Sequence, residues 1–370
     1  MQLIKDKNFY KMSALIAVPI ALQNVINVAV NMLDTVMLGR VGQAQLSASS
    51  LANQPSFLLM LLMFGLSSGA SVLTAQYWGK GDVESIRRVM GIAMRVSLAA
   101  AMFAVLLVLF IPEQIMAIYT QDPELIRLGA QYMRIVSPTY LLMAVSVLYL
   151  NILRSMEKVN IALFVYFVSF LANGVLNYIL IFGKLGLPAM GIAGAAVATS
   201  IARLIELVLV LWYARRRDDK LRFRLRDVLV RDRLLSKDFR KYSFPVVMNE
   251  LFWGVGISVQ QMILGHLGSD AVAASSVVSV IQRLSTTAVF GVAGATAVIV
   301  GKAVGRGDKE EARRAADTLV VCSIFLGIVG VGVMLLLRPL AVHMGVFTPQ
   351  AKEYILQMML VSAFYIFFMS

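Results

Sequence analysis

The sequence predicts an all-α, polytopic membrane protein, and three observations lead to this fold class. Hydrophobic residues make up 59% of the 370 residues and the mean hydropathy is +0.78, whereas soluble domains are about half apolar. Apolar runs long enough to cross a bilayer recur along the chain, and they lack the alternation that marks the strands of a membrane barrel. Basic residues collect in every second loop, as the positive-inside rule predicts.

The apolar runs define ten candidate spans, at residues 13–38, 50–77, 89–111, 131–153, 161–182, 190–214, 243–266, 272–301, 315–338 and 352–370. They predict an N-terminal lobe of six helices over residues 1–214, a basic linker over 215–241 and a C-terminal lobe of four helices over 242–370. Because Ser370 falls inside the last run, we expect ten of twelve spans, with the second lobe incomplete.

The net charge of +13 would suit a nucleic-acid-binding protein, but its distribution favours membrane topology instead, with no nucleic-acid partner. The linker holds the densest basic cluster, formed by Arg215, Arg216, Arg217, Lys220, Arg222, Arg224, Arg226, Arg231, Arg233, Lys237, Arg240 and Lys241. We therefore expect a multi-pass protein of the cell membrane with its N-terminus and its linker in the cytoplasm. The linker is interpreted either as a solvated topology determinant or as a site for anionic lipid headgroups.

An internal repeat relates the two halves of the chain at a shift of 226 residues. The shift carries Pro19 onto Pro245 and the Gly-x-Gly-Asp segment 79–82 onto 305–308. Span one then falls on span seven, so both halves enter the membrane in the same direction, as in the parallel repeats of some transporters. Both prolines are expected near the start of their spans, where proline is easily tolerated.

These features together resemble the multidrug and toxic compound extrusion (MATE) family. The resemblance is carried by the two Gly-x-Gly-Asp segments, the Pro19-to-Asp34 spacing, Leu38-Gly39-x-x-Gly42, Leu153-Arg154, Asn173-x-x-x-Asn177 and the small-residue run 191–199. It implies two six-helix lobes around a central cavity. It also implies export of cationic and amphiphilic compounds in exchange for Na⁺ or H⁺.

Asp34 is the first candidate site residue, because it places a carboxylate inside an apolar run. Such a charge costs about 2.5–3.5 kcal/mol on insertion scales and usually faces a cavity with a functional role. The alternative is that Asp34 lies at the membrane interface. Desolvation disfavours the ionised form of a carboxyl group, and a bound cation stabilises that form again. One aspartate can therefore bind a proton, a metal ion or a cationic substrate in turn. The MATE resemblance places a functional aspartate here.

Asn173 and Asn177 are four residues apart and therefore share one face of the fifth span. Their carbonyl oxygens suit Na⁺, although asparagines also form hydrogen bonds between membrane helices. Some MATE members carry an aspartate at the position of Asn177, so the neutral side chain here argues against a purely proton-driven, two-acid mechanism. Thr199 matches a family threonine and offers either a hydroxyl ligand or a packing contact.

Glu250 is the second carboxylate of interest, and it forms either a C-lobe cation site or an exposed group at the interface. Some MATE members carry a cation-binding glutamate one turn further along, near Trp253. We expect Glu250 to pair with Arg283 as a C-lobe lock that also includes Tyr365, and Arg203 to pair with Glu206 because they are three residues apart. The residues expected to line the cavity are Gln54, Phe57, Trp253, Gln260, Gln282 and Tyr365.

No signature of an enzyme is present. The sequence has no P-loop, one cysteine, and two histidines, His266 and His343, without ligand partners at metal spacing. We expect no cofactor beyond the coupling ion, Na⁺ or H⁺; if the ion is Na⁺, its ligands would be Asp34, Asn173 and Asn177.

The sequence thus predicts a monomeric, cation-coupled antiporter whose partners are membrane lipid and small organic molecules. A lipid-linked saccharide flippase remains open, and its cationic cavity would depend on Arg203 and Arg283. A membrane-embedded transferase and a non-transporting fragment are further alternatives.

Overall fold

The computed structural model describes residues 3–267, 269–342 and 348–369. These ranges form fourteen α-helices and one 3₁₀ helix (Leu225–Leu229), and they contain no strand. His343 and the side chain of His266 lie outside the described part. The helices are α1 (Lys7–Val41), α2 (Gln43–Ala52), α3 (Gln54–Lys80), α4 (Val83–Phe110), α5 (Pro112–Tyr119), α6 (Pro123–Val136), α7 (Thr139–Ser155), α8 (Asn160–Phe182), α9 (Gly191–Arg216), α10 (Arg233–His266), α11 (Ser269–Arg306), α12 (Lys309–Leu336), α13 (Arg338–Ala341) and α14 (Pro349–Met369).

The predicted all-helical, multi-pass architecture is confirmed. Eight helical segments of the described chain are long and apolar enough to cross a membrane, or nine if the bent pair α6 and α7 forms one span. The eight are α1, α2 with α3, α4, α8, α9, residues 274–306 of α11, α12 and α14. The predicted span at 243–266 corresponds to α10, which is helical over Arg233–His266 but is not among the eight.

Several helices differ from the sequence-based boundaries. The fourth predicted span, 131–153, is not one straight helix: α6 and α7 meet at an angle of 53° around Pro138, because proline cannot donate a backbone hydrogen bond inside a helix. Helices α1 and α10 begin earlier than predicted. The expectation that Pro19 and Pro245 lie near helix starts is therefore wrong, because each lies twelve residues inside its helix.

Helix ends recur at the 226-residue shift found in the sequence. The starts of α1 and α10, of α4 and α12, and of α6 and α14 are each 226 residues apart. The two Gly-x-Gly-Asp segments are turns between helices, as predicted. Gly81 and Gly307 adopt φ angles of 75° and 83°, which glycine allows at little cost. Asp82 and Asp308 then cap the next helix by accepting hydrogen bonds from Ser85 N and Glu311 N at 3.0 and 2.8 Å.

The chain divides into two compact units. One contains Ile26–Leu251, and the other contains Met1–Val25 together with Phe252–Ser370. Helices α1 and α10 contribute residues to both. The core of the first unit has two clusters, one around Ile86, Ile152 and Leu221 and one around Met116 and Ala196. In the second unit, α11, α12 and α14 pack around a core formed by Ala274, Val278, Ile281, Met334, Ala341, Ile355, Met359, Ala363 and Ile366.

Candidate cation site

Asp34, on the part of α1 that belongs to the Ile26–Leu251 unit, lies against α8. Asn177 Nδ2 donates a hydrogen bond to Asp34 Oδ1 at 2.5 Å and another to Asn173 Oδ1 at 3.0 Å. Asn173 Nδ2 in turn donates to Thr199 Oγ1 on α9 at 3.5 Å. The four residues that the sequence proposed for the cation site are thus joined in one hydrogen-bonded chain across three helices.

The site also presents a polar atom with no partner. The side chains of Asn173 and Asn177 are buried, while Asp34 and Thr199 are partly buried. Asn177 Oδ1 is buried and has no hydrogen-bond partner within the described chain, which is unusual because buried polar atoms are nearly always satisfied. Asn177 Oδ1, the carboxylate of Asp34 and the hydroxyl of Thr199 are hard oxygen atoms on neighbouring side chains of the hydrogen-bonded chain, and oxygen is the ligand type that suits an alkali cation.

Small residues bring the helices of the site together. A Cβ atom at Gly174, next to Asn173, would lie 2.9 Å from Leu33 Cδ2, so α8 and α1 are in close contact here, although the end of the leucine side chain can shift. On α9, a Cβ atom at Gly194 would lie 2.7 Å from the carbonyl carbon of Leu180 on α8. The small-residue run of α9 thus sets the distance at which Thr199 faces Asn173.

Tyr132, on α6, belongs to the same site and was not among the residues predicted from the sequence. Its side chain is buried, its hydroxyl donates to Asn53 Oδ1 at 3.3 Å, and it lies close to Thr199. The Tyr132 hydroxyl lies within electrostatic range of Asp34. A tyrosine in an apolar stretch carries no distinctive sequence signal, and only the polar residues that surround it in space mark it.

The predicted pair of Arg203 and Glu206 is confirmed. Arg203 Nη1 lies 2.8 Å from Glu206 Oε2, and the Glu206 side chain is 1% exposed. Glu206 Oε1 is buried without a hydrogen-bond partner in the described ranges. Arg203 also interacts electrostatically with Asp34. The positive charge of the Arg203 guanidinium is therefore neutralised by Glu206. The guanidinium also lies close enough to favour the ionised form of the Asp34 carboxyl group.

The remaining predicted residues are divided between the two units. In the Ile26–Leu251 unit, Gln54 is exposed, and Phe57 and Glu250 are partly buried. In the other unit, Trp253, Gln260, Arg283 and Tyr365 are exposed and Gln282 is partly exposed. The pairing of Glu250 with Arg283 and the cavity-lining roles stay predictions.

Comparison with known proteins gives a family match. The family model MatE matches residues 19–179 and 245–370, which include Asp34, Asn173 and Asn177. The chain belongs to the MatE family. The predicted MATE resemblance is therefore confirmed over most of the sequence, and Thr199 lies in the stretch between the two matched regions.

Bacterial MatE proteins are among its relatives. The "Probable multidrug resistance protein NorM" of Rhizobium meliloti (strain 1021) is 29% identical over 336 residues, which cover 87% of this chain and 69% of the relative. A protein with the same description from Agrobacterium fabrum is 25% identical over 320 residues, covering 86% of this chain and 69% of the relative.

Solved MATE structures share the fold. A multidrug resistance MATE family transporter of the MOP superfamily, in an outward-facing conformation, aligns with a TM-score of 0.87 at 20% identity over 100% of this chain and 83% of its own. A MOP superfamily transporter from Pyrococcus furiosus, described as having a binding pocket of reverse polarity, aligns with a TM-score of 0.86 at 20% identity over 99% and 82%.

Proposed function

We propose that this MatE protein is a cation-coupled antiporter that exports organic, cationic or amphiphilic compounds by alternating access. The coupling ion, Na⁺ or H⁺, is a transported substrate that binds around Asp34. One observation carries the proposal: the Asn177 amide that donates its N–H to the Asp34 carboxylate also carries a buried carbonyl oxygen with no partner in the described chain. The names of the relatives, which are multidrug resistance proteins, support the class of substrate.

The amide of Asn177 is suited to a site that alternates between empty and occupied states. When the site is empty, its N–H group donates to the ionised carboxylate of Asp34. When a proton or Na⁺ neutralises the carboxylate, the same amide can offer its oxygen to the new occupant. An occupant that binds one conformation more tightly than the other shifts the balance between them, and this difference in affinity is what an antiporter requires.

The proposed organisation is that of two lobes related by the 226-residue repeat, with six spans in residues 1–214 and four in residues 242–370. The recurrence of helix starts at this shift supports it. We place the N-terminus and the 215–241 linker in the cytoplasm, and we assign Glu250, Arg283 and Tyr365 to a C-lobe site or lock. We further propose that the protein acts as a monomer without a cofactor and that Gln54, Phe57, Trp253, Gln260 and Gln282 line the substrate path.

The test is transport by the purified protein in sealed lipid vesicles. Movement of a fluorescent organic cation is followed while a Na⁺ gradient, a H⁺ gradient or neither is imposed. We expect one of the gradients to accelerate dye movement, and Asp34→Asn to abolish that acceleration because the amide cannot hold a cation by charge. Asp270→Asn, a change of the same kind at the first turn of α11, should leave it intact.

Gradient-driven dye movement that survives in Asp34→Asn would refute the proposed coupling site. Movement of a lipid-linked saccharide without any movement of organic cations would favour the flippase. The pairing of Arg203 with Glu206 argues against that alternative, because it balances one of the two arginines that a pyrophosphate-binding cavity would need.

A further inference from the structure

The segment between α9 and α10 carries a surface that combines apolar and basic side chains. Leu229 is 77% exposed, Leu234 is 70% exposed and Val230 is 41% exposed. Three exposed arginines, Arg226, Arg231 and Arg233, lie among them in the sequence. We call these six residues the linker surface.

The acidic residues of the linker leave this surface positively charged. Residues 215–241 contain twelve basic and five acidic residues, and all twelve basic residues are exposed. Three of the acids are engaged within the protein. Asp218 accepts hydrogen bonds from Tyr149 and Lys158, Asp227 accepts one from Arg224 N, and Asp232 accepts from Leu235 N and Arg88. The arginines of the linker surface are thus directed outward.

The linker is also held firmly on the helices beneath it. The Asp218 carboxylate is fully buried and bonds Tyr149 Oη at 2.7 Å and Lys158 Nζ at 2.8 Å. Leu221, three residues later, is buried, and the carbonyl of Asp227 packs directly onto Gly91 of α4. A segment anchored at these points presents its outer side chains in a fixed arrangement, which lowers the entropy cost of binding.

We infer that the linker surface docks on the anionic headgroups of the adjacent membrane leaflet. The segment begins one residue after α9, a membrane-spanning candidate that ends at Arg216, so the bilayer surface is its immediate surroundings. Leu229, Val230 and Leu234 enter the headgroup region with their apolar side chains. The three arginines bind lipid phosphates, the combination that marks interfacial membrane-binding segments.

The experiment places a polarity-sensitive fluorophore at Leu229→Cys in a Cys322→Ser background and reconstitutes the protein in vesicles. In vesicles containing phosphatidylglycerol we expect blue-shifted emission and quenching by spin-labelled lipid, and both should weaken in pure phosphatidylcholine. One basic residue near an anionic surface changes the equilibrium between the membrane-bound and free linker surface by about fivefold. Arg226→Gln, Arg231→Gln and Arg233→Gln together should therefore lower the equilibrium constant for membrane binding of the linker surface by about two orders of magnitude.

Matched controls test whether the effect belongs to the linker surface and to lipid headgroups. A label at Asp219→Cys, which is exposed in the same linker, should stay unquenched. Neutralising Arg306, Lys309 and Arg313 removes equal charge from the turn between α11 and α12 and should change nothing. Inorganic phosphate added to phosphatidylcholine vesicles should not reproduce the shift.

Three results would overturn the inference. The first is a label that is equally unquenched in both lipids. The second is equal quenching in both lipids, which would remove the role of the anionic headgroup. The third is blue-shifted emission in vesicles that spin-labelled lipid does not quench, which would indicate packing against protein, including a second copy of the chain.

Discussion

Asn177 donates its side-chain N–H to the carboxylate of Asp34 across 143 positions of sequence, with 2.5 Å between Nδ2 and Oδ1. The contact joins α1 to α8 and leaves Asn177 Oδ1 buried and unpartnered within the described chain. One amide therefore contacts a carboxyl group with its N–H and keeps its own carbonyl oxygen unused. This pairing distinguishes the proposed cation site from ordinary hydrogen bonding between membrane helices, where both ends of the amide are usually satisfied.

Replacing Asn177 by aspartate should make transport depend more strongly on the H⁺ gradient. Two carboxylates at this separation cannot both ionise and will share one proton. We expect Asn177→Asp to respond to a H⁺ gradient and to respond less to Na⁺ than the parent protein in the vesicle assay. Asn177→Leu, which removes the ligand oxygen without adding an acid, should lose the response to both ions. The same ion dependence in all three proteins would show that Asn177 does not contact the coupling ion.

Breaking the ion pair of Arg203 and Glu206 should be costly. Arg203→Gln leaves a buried carboxylate without its partner, and the expected loss is about 3 kcal/mol of unfolding free energy. The matched control is Arg134→Gln, which removes the partner of Glu113 from a pair with a similar distance of 2.7 Å but with both side chains about half exposed; it should cost less than about 1 kcal/mol. Unfolding in detergent measures the loss of unfolding free energy in both variants. Equal losses would show that burial does not make the pair of Arg203 and Glu206 more important for stability than the exposed pair.

Gly91→Ala should loosen the linker. A Cβ atom at this position would overlap the carbonyl of Asp227, and such overpacking costs about 1–3 kcal/mol. We expect faster tryptic cleavage after the linker arginines, measured as the rate of appearance of the two fragments. Gly332→Ala on α12 meets no atom within 4 Å, and it should be neutral or slightly stabilising because alanine favours the helix. Unchanged cleavage in Gly91→Ala would mean that α4 does not hold the linker.

The cap formed by Asp82 gives a pH-dependent contribution to stability. Hydrogen bonds from the side chain and backbone of Ser85 lower the pKa of this carboxyl below its ordinary value of 3.8. The contribution is therefore fully present above pH 3.8 and is lost as the pH falls through the lowered pKa. Asp82→Ala should cost about 1 kcal/mol at pH 7, and the difference from the parent should shrink towards zero in acid.

Thermal unfolding at a series of pH values measures this difference. Asp219→Ala, an exposed aspartate that caps no helix, is the control and should follow the parent at every pH. A loss in Asp82→Ala that is the same at pH 7 and at pH 3 would exclude the ionised cap as its cause.

Much of the fold and part of the site could be predicted from the sequence. The apolar runs predict where helices lie but not their first residues, because α1, α4, α10 and α12 each begin six to ten residues before the predicted span. The grouping of Asp34 with Asn173 and Asn177 came from helical spacing and from the MATE resemblance. Tyr132 could not be found in this way, because it reaches the site only through the packing of α6. The bend between α6 and α7 was missed because an apolar pattern continues across Pro138.

The sequence by itself determined that this protein is helical and membrane-spanning, because these properties depend on local composition and periodicity, and its short motifs indicated the MATE family. Only the tertiary structure decided which polar atoms meet. Close contacts between distant segments produce three features: the hydrogen bond from Asn177 to Asp34, the unpartnered carbonyl oxygen of Asn177, and the contact of the linker with Gly91. A shift of about 1 Å would break them, and no local pattern encodes distances that fine.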